Sequence, residues 1–211
     1  MSLPEAPADA ILTLAGLRAE RDGRVLFDGL SFSAVAGEVL RIEGANGAGK
    51  TTLLRILCGL DLDFEGEVRW PAATRRSVPW RQDLLFLGHL PGVKASLSAR
   101  DNLAWLAALR ERPLAGDVDA ALAQVGLAGL EDVPVAALSA GQRRRVGLAR
   151  LFLEDARVWV LDEPFTAIDV HGVQLLEQRL AAHASSGGLV VLTTHQPLSI
   201  AARGIRLGAR A

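Results

Sequence analysis

The stretch Gly44-Ala45-Asn46-Gly47-Ala48-Gly49-Lys50-Thr51-Thr52 follows directly on the apolar run Val39-Leu40-Arg41-Ile42 and satisfies the pattern G-x-x-x-x-G-K-[ST]. Glycines let such a loop curl until several backbone N–H groups point at one anion, and the following helix adds the positive end of its dipole. Lys50 then supplies a mobile charge. Thr51 places a hydroxyl where Mg²⁺ bridges β- and γ-phosphates, and Thr52 reaches a phosphate from the same helical turn. Of 23 Lys and Arg residues only Lys50 and Lys94 are lysine, so the lysine at this point of the loop stands out against a strong preference for arginine. The chain is read as a holder of nucleoside triphosphate.

A chain of 211 residues with 50% hydrophobic content can bury a full core as one domain, with room for an inserted subdomain. A net charge of −1 provides no global field toward nucleic acid or an anionic membrane. The single cysteine, Cys58, excludes an intramolecular disulfide framework and is expected as a small buried hydrophobe. Residues 1–10 carry Glu5 and Asp9 and lack the basic start and apolar core of a signal peptide, and no run approaches 18 apolar residues. The expectation is a cytosolic protein that does not span a bilayer by itself.

Residues 11–43 show β-like runs broken by turn signals at Asp22-Gly23, Asp28-Gly29 and Ala36-Gly37, which predicts an antiparallel layer leading into the strand before the loop. A buried helix is expected over 51–60, an edge strand over 66–70 and a surface connection over 71–81. Ser98-Ala99-Arg100-Asp101 opens a helix through Arg110, residues 117–124 form a second closed by Gly126, and Ser139 opens a third reaching about Glu154. A buried strand over 157–162, a helix over 169–184 and a strand over 189–193 complete a parallel α/β core carrying a helical insertion at about 95–150.

In Leu161-Asp162-Glu163-Pro164 two carboxylates follow a hydrophobic strand, which puts them at the carboxyl edge where open α/β sheets bind ligands. Asp162 can organise Mg²⁺ through its water shell, and Glu163 can orient or deprotonate an attacking water. Leu138-Ser139-Ala140-Gly141-Gln142 supplies a second anion site, a hydroxyl and backbone N–H groups aimed along a helix dipole. Two anion sites in one chain invite a two-chain arrangement.

With these motifs in order, the chain resembles the ATP-binding cassette family, a P-loop NTPase fold whose signature L-S-G-G-Q reads L-S-A-G-Q here; the resemblance runs from about Leu12 to Pro197. It implies ATP and Mg²⁺ as cofactors and a homodimer in which each ATP lies between the loop of one copy and Ser139, Gly141 and Gln142 of the other. It also implies that Asp162 and Glu163 are the Walker B aspartate and catalytic glutamate, that Thr166-Ala167-Ile168-Asp169 is the D-loop, and that His195 is the switch histidine. Intact Glu163 and His195 point to a working ATPase. His171 and His183 are expected on a helix surface, and Arg143-Arg144-Arg145 on a solvated helix face or at intersubunit contacts. A nucleic-acid patch is disfavoured by the acidic balance and the lack of interleaved aromatics.

Two departures from the family pattern stand out. His89 occupies the place of the Q-loop glutamine, where an imidazole can still meet a metal-bound water. The adenine-stacking aromatic is missing, and Arg21 is the expected substitute through its guanidinium plane. Gly88-His89-Leu90-Pro91-Gly92-Val93-Lys94, the run 161–169 and the stretch 187–198 resemble the ATP-binding subunits of bacterial cytochrome c maturation systems. That resemblance implies a peripheral subunit on the cytoplasmic face of the inner membrane, paired with separate integral membrane subunits and not binding haem itself. A cassette for another cargo, a soluble cassette acting on ribosomes or DNA, and a binding module without turnover remain the alternatives.

Overall fold

The computed structural model describes residues 9–70, 83–109 and 114–208. The expected surface connection over 71–81 and the expected helix end at Arg110 lie outside them.

Strands β1 (Ala10–Arg21) and β2 (Arg24–Val35) pair antiparallel, and β4 (Glu65–Arg69) adds to the other edge of β1. Asp22 and Gly23 both take positive φ, 51° and 74°, between the paired Arg21 and Arg24. That is the two-residue turn whose twist matches the flanking strands. Asp28-Gly29, expected as a break, is instead a bulge inside one long strand. Between Leu17↔Leu30 and Ala19↔Phe27 the register gains one residue on β2, and Gly29 absorbs it at φ 69°.

The second sheet is parallel, in the order β5 (Leu84–Leu87), β6 (Val158–Asp162), β7 (Leu189–Thr193), β3 (Val39–Glu43) and β8 (Arg203–Arg206). Both edge strands, β5 and β8, were not expected from the sequence: β8 is largely exposed, and β5 is a four-residue apolar run too short to tell strand from helix. Strands β6 and β7 are buried along their whole length. Their alternation divides two cores. Val158, Val160, Leu189 and Val191 join α1 (Lys50–Leu57) and the antiparallel layer, while Trp159, Leu161, Val190 and Leu192 join α5 (Val170–Ser185) on the opposite face. Cys58 is buried on the first side, and that burial pushes its thiol pKa upward, which leaves it an inert packing residue.

Helices α2 (Ala99–Leu109), α3 (Val118–Gln124) and α4 (Ala140–Ala149) enclose a third apolar cluster around Leu103, Leu122, Leu127 and Val146. Ser98 opens α2 by accepting from the Asp101 N–H, and Asp117 caps α3 through the Ala120 N–H. Helix α4 stops as an α-helix at Ala149 and tightens into a 3₁₀ turn over Arg150–Phe152, so it is shorter than expected.

His183 is not a surface residue. The buried stripe of α5 is Leu176, Leu180, His183 and Ala184, and the helical period carries the histidine inward while His171 stays exposed. Its ring stacks on Trp159 at 3.7 Å between centroids and 4° between planes, with Nε2 3.2 Å from the Arg157 carbonyl. Burial holds the imidazole pKa below its ordinary value, against the carbonyl contact that raises it. An unfolded chain therefore binds a proton at His183 that the folded chain resists. Stability is fully kept above a pH of about 6.5 and falls as the pH drops below it. Urea denaturation at pH 7.5 and 5.5 should show this loss, and His183→Phe, which keeps the stack, should reduce it. A Cβ on Gly188 would lie 2.2 Å from His183 Nε2, so Gly188→Ala should cost about 1–3 kcal/mol in the same measurement at neutral pH.

Candidate functional site

The parallel register brings three strand ends to one level. Thr193 of β7 pairs with Ile42 of β3 on one side and with Asp162 of β6 on the other. The glycine loop, the paired acids and His195 consequently emerge at the same edge of the sheet.

Within the loop, Gly47 takes φ 77° and Gly49 takes φ 91°. A Cβ on Gly49 would lie 2.9 Å from the Leu26 Cβ, so the residue before α1 must be glycine on both conformational and spatial grounds. The Ala48 N–H donates to the Ala45 carbonyl at 3.1 Å and closes the turn. Lys50 bends back over the loop, its Nζ donating to the carbonyls of Gly44 at 2.8 Å and Ala45 at 3.3 Å. Those carbonyls hold the ammonium where a phosphate would compete for it. Asn46, Gly47, Gly49, Lys50, Thr51 and Thr52 line an open cavity of about 490 Å³, and Arg21, His89, Asp162, Glu163 and His195 reach it from other elements. Gly44, Ala45 and Ala48 shape the loop from behind the cavity.

Asp162 is 3% exposed. Its Oδ2 accepts from Thr51 Oγ1 at 2.8 Å and its Oδ1 from Thr193 Oγ1 at 2.6 Å. The Thr193 oxygen in turn accepts from the Glu163 N–H at 2.9 Å. Glu163 adopts φ 50°, a left-handed conformation rare for a non-glycine residue. Its Oε1 is buried without a hydrogen bond, 3.4 Å from His195 Nε2. The His195 side chain is 62% exposed and faces the cavity freely.

Two residues outside the expected set belong to this constellation. Thr193 joins the acids, and its signal was its place two residues before His195. Arg144 was expected with its neighbours on a solvated face or at intersubunit contacts, but it is 6% exposed and bonded within its own chain. Its Nη1 donates to the carbonyls of Gly88 and His89, and its Nη2 to those of Asp162 and Glu163. Burial lowers its pKa, and the Asp162 and Glu163 charges oppose that shift. Helical phase carried the missed signal, since Arg144, Gly147, Leu148 and Leu151 recur at i, i+3, i+4 and i+7 and are all buried. The flanking arginines have other partners: Arg143 holds the carbonyls of Leu138 and Ala136, and Arg145 pairs with Asp169 at 2.9 Å.

Ser139 and Gln142 form a reciprocal capping box at the start of α4, Ser139 N–H donating to Gln142 Oε1 at 2.8 Å and Gln142 N–H to Ser139 Oγ at 3.2 Å. A Cβ on Gly141 would lie 2.7 Å from the Ala167 carbonyl, so this glycine lets α4 pack on the turn after the acids. Asp169 caps α5, and the Gly172 N–H, followed by Arg145, lowers its carboxyl pKa. None of Ser139, Gly141, Gln142 and Asp169 lines the cavity at the glycine loop. One chain keeps its two anion elements apart.

Arg21 does reach the cavity, but its guanidinium is already engaged by Asp61 at 2.5 Å, Asp63 at 2.8 Å and the Glu20 carbonyl. Those bonds fix the edge of the guanidinium. His89 is exposed on the wall that also carries Glu163. No cluster of three or more His, Cys, Asp or Glu with metal-binding geometry occurs among the described residues. The Thr51 hydroxyl and Asp162 carboxylate are hard oxygen donors that fit Mg²⁺, which completes its octahedron with phosphate and water rather than with a protein cage. Glu163 Oε1, buried and lacking a donor, fits an acceptor for a water held there.

Residues 27–166 match the ABC transporter family. The chain is 55% identical over 199 residues to cytochrome c biogenesis ATP-binding export protein CcmA 2 of Salmonella paratyphi A, covering 93% of this chain and 95% of that protein. To CcmA of Escherichia coli K12 it is 55% identical over 192 residues, 90% and 91% of the two chains. Among solved structures, an ATP-binding protein of a putative ABC transporter from Pyrococcus furiosus superposes with a TM-score of 0.78 at 26% identity, over 93% of this chain and 96% of that one. A dimeric post-hydrolysis ATP-binding cassette bound to ADP and Pi gives 0.76 at 22% identity, over 88% of each chain, and supports the fold. No helix among the described residues is long and apolar enough to cross a membrane. A glycine loop, acid pair and histidine gathered at one sheet edge, with relatives matching nearly end to end, make this chain a member of the ATP-binding cassette family, an ATPase of the ABC transporter type.

Proposed function

We propose that this chain is the ATP-hydrolysing subunit of a membrane ABC complex in cytochrome c maturation, coupling hydrolysis to haem export or to release of a haem-loaded chaperone. The observation that carries the reading is 55% identity sustained over 93% of the chain to proteins named for that export system. In this reading the subunit sits peripherally on the cytoplasmic face of the bacterial inner membrane. Separate integral membrane subunits contact the surface around His89 to Trp105, haem is not bound by this chain, and nucleic acid is not a partner.

Phosphates would sit on the backbone N–H groups of residues 44–49, with Lys50 leaving the Gly44 and Ala45 carbonyls to meet them and Thr52 adding a hydroxyl. Thr51 and Asp162 would hold Mg²⁺, which when bound neutralises charge on the transferring phosphoryl group. Glu163 orients the attacking water and accepts its proton, and His195, within 3.4 Å of Glu163, donates to the γ-phosphate. His89, exposed on the same cavity, would meet a water there. Arg21 offers the face of its guanidinium to adenine while Asp61 and Asp63 hold its edge. Ser139, Gly141, Gln142 and Asp169 complete the site from a second copy, which accounts for their separation from the cavity within one chain. At the starts of α4 and α5, Ser139 and Asp169 are exposed and Gly141 and Gln142 half-buried, within reach of a second copy.

Glu163→Gln should lower ATP turnover by about 10²–10⁴-fold and accumulate an ATP-bound dimer, read by light scattering after gel filtration. Wild-type turnover in that variant would contradict the role given to Glu163. Arg21→Ala should weaken ATP binding roughly two- to fivefold, the scale of an exposed cation–π contact. Unchanged affinity by calorimetry would remove Arg21 from the site. Affinity purification from membranes should bring down integral membrane partners of a haem-handling system, and partners that handle only another cargo would overturn the pathway assignment.

A further inference from the structure

Arg144 makes four hydrogen bonds, all to backbone carbonyls, and they divide by arm. Nη1 donates to Gly88 at 2.6 Å and His89 at 3.2 Å, while Nη2 donates to Asp162 at 2.7 Å and Glu163 at 3.0 Å. A rigid planar fork can hold two loops at a fixed separation, and a flexible ammonium cannot reproduce that spacing. Because Arg144 engages only carbonyls, it ties up neither carboxylate.

The Glu163 backbone explains why such a clamp matters. At φ 50° this residue holds a strained conformation that persists only where its surroundings over-determine it. Its N–H is fixed by Thr193 Oγ1, and its carbonyl accepts from Arg144 at 3.0 Å and from the Thr166 N–H at 3.2 Å. One turn further along α4, a Cβ on Gly147 would lie 3.0 Å from the Pro91 carbonyl, so the loop over residues 88–91 is seated on the same helix face that presents Arg144. That helix begins at the Ser139 capping box.

We propose that Arg144 is a positioning residue for ATP hydrolysis: by holding the Glu163 carbonyl it aims the Glu163 carboxylate, and by sharing its guanidinium with Gly88 and His89 it ties that aim to the placement of the His89 loop. Arg144 does not touch nucleotide. A partner that shifts the His89 loop, or a second copy that shifts α4, thereby changes the aim of Glu163 without altering the phosphate cradle. The proposal rests on the reading of Glu163 as the group that orients the attacking water.

The test uses the full chain, Mg-ATP turnover and the variants Arg144→Lys and Arg144→Met. Misplacing a reacting group by about 1 Å costs on the order of 10²-fold, so kcat should fall by about that factor in Arg144→Met and by at least roughly tenfold in Arg144→Lys, with KM for ATP within about twofold of wild type. Should Arg144→Met not fold, Arg144→Lys, which keeps charge and most of the volume, decides alone. In a Glu163→Gln background the added Arg144→Lys change should leave residual turnover unaltered, since the group it aims is already gone. Amide exchange should quicken together in residues 88–92 and 163–167 of Arg144→Lys. Wild-type kcat in Arg144→Lys, losses that multiply in the double variant, or a defect confined to KM would each overturn the proposal. An inert wild type would instead overturn the ATPase reading beneath it, so the two failures are distinguishable.

Discussion

The Thr193 hydroxyl is the joint on which the site depends. It donates to Asp162 and accepts from the Glu163 N–H, and Asp162 in turn accepts from Thr51 at the start of α1. Two neighbouring strands of the parallel sheet, β6 and β7, and the first turn of α1 are thereby tied through one buried carboxylate. A buried carboxylate must have its oxygens satisfied, and here hydroxyls do so in a way that can yield to a metal. The arrangement follows from register: because Asp162 and Ile42 both pair with Thr193, the phosphate loop and the acids cannot drift apart without breaking the central ladder of the sheet.

How much of this was legible in the sequence depends on the kind of signal. The glycine loop, the acid pair and the helix openings at Ser98 and Ser139 are local patterns, read from a few adjacent residues, and Asp117 and Asp169, read as first helical residues, are the N-caps one position earlier. The parallel strands β3, β6 and β7 were readable because strands buried on both faces are continuous apolar runs. Strands β5 and β8 were not: the apolar run of β5 is too short to tell strand from helix, and β8 is largely exposed. Asp28-Gly29 misled because a glycine at positive φ serves a bulge as readily as a turn, and only the pairing partner distinguishes them.

At the site itself, the side chains that line the cavity were legible and those that face the backbone were not. Residue type announces Lys50, Thr51 and Glu163, whereas Arg144 and Thr193 act through main-chain partners 18 to 56 residues away or across a sheet. The arginine run was judged by charge, and helical phase decided otherwise. His183 repeats the lesson in the core: a polar type on a buried stripe is stacked on Trp159 and held by a carbonyl. Arg21 shows the reverse case. It reaches the cavity as expected, but its acidic partners leave only the flat face of the guanidinium for a base.

The central claim is that triphosphate is enclosed between the glycine loop of one copy and the start of α4 of another. The most direct measurement is a crystal structure of the wild-type chain with Mg²⁺ and a non-hydrolysable ATP analogue. The account predicts a two-fold dimer in which each γ-phosphate meets Lys50 of one copy and Ser139 of its twin, with Glu163 and His195 turned toward it. A nucleotide bound by a lone copy, with Ser139 still open to solvent, would contradict it.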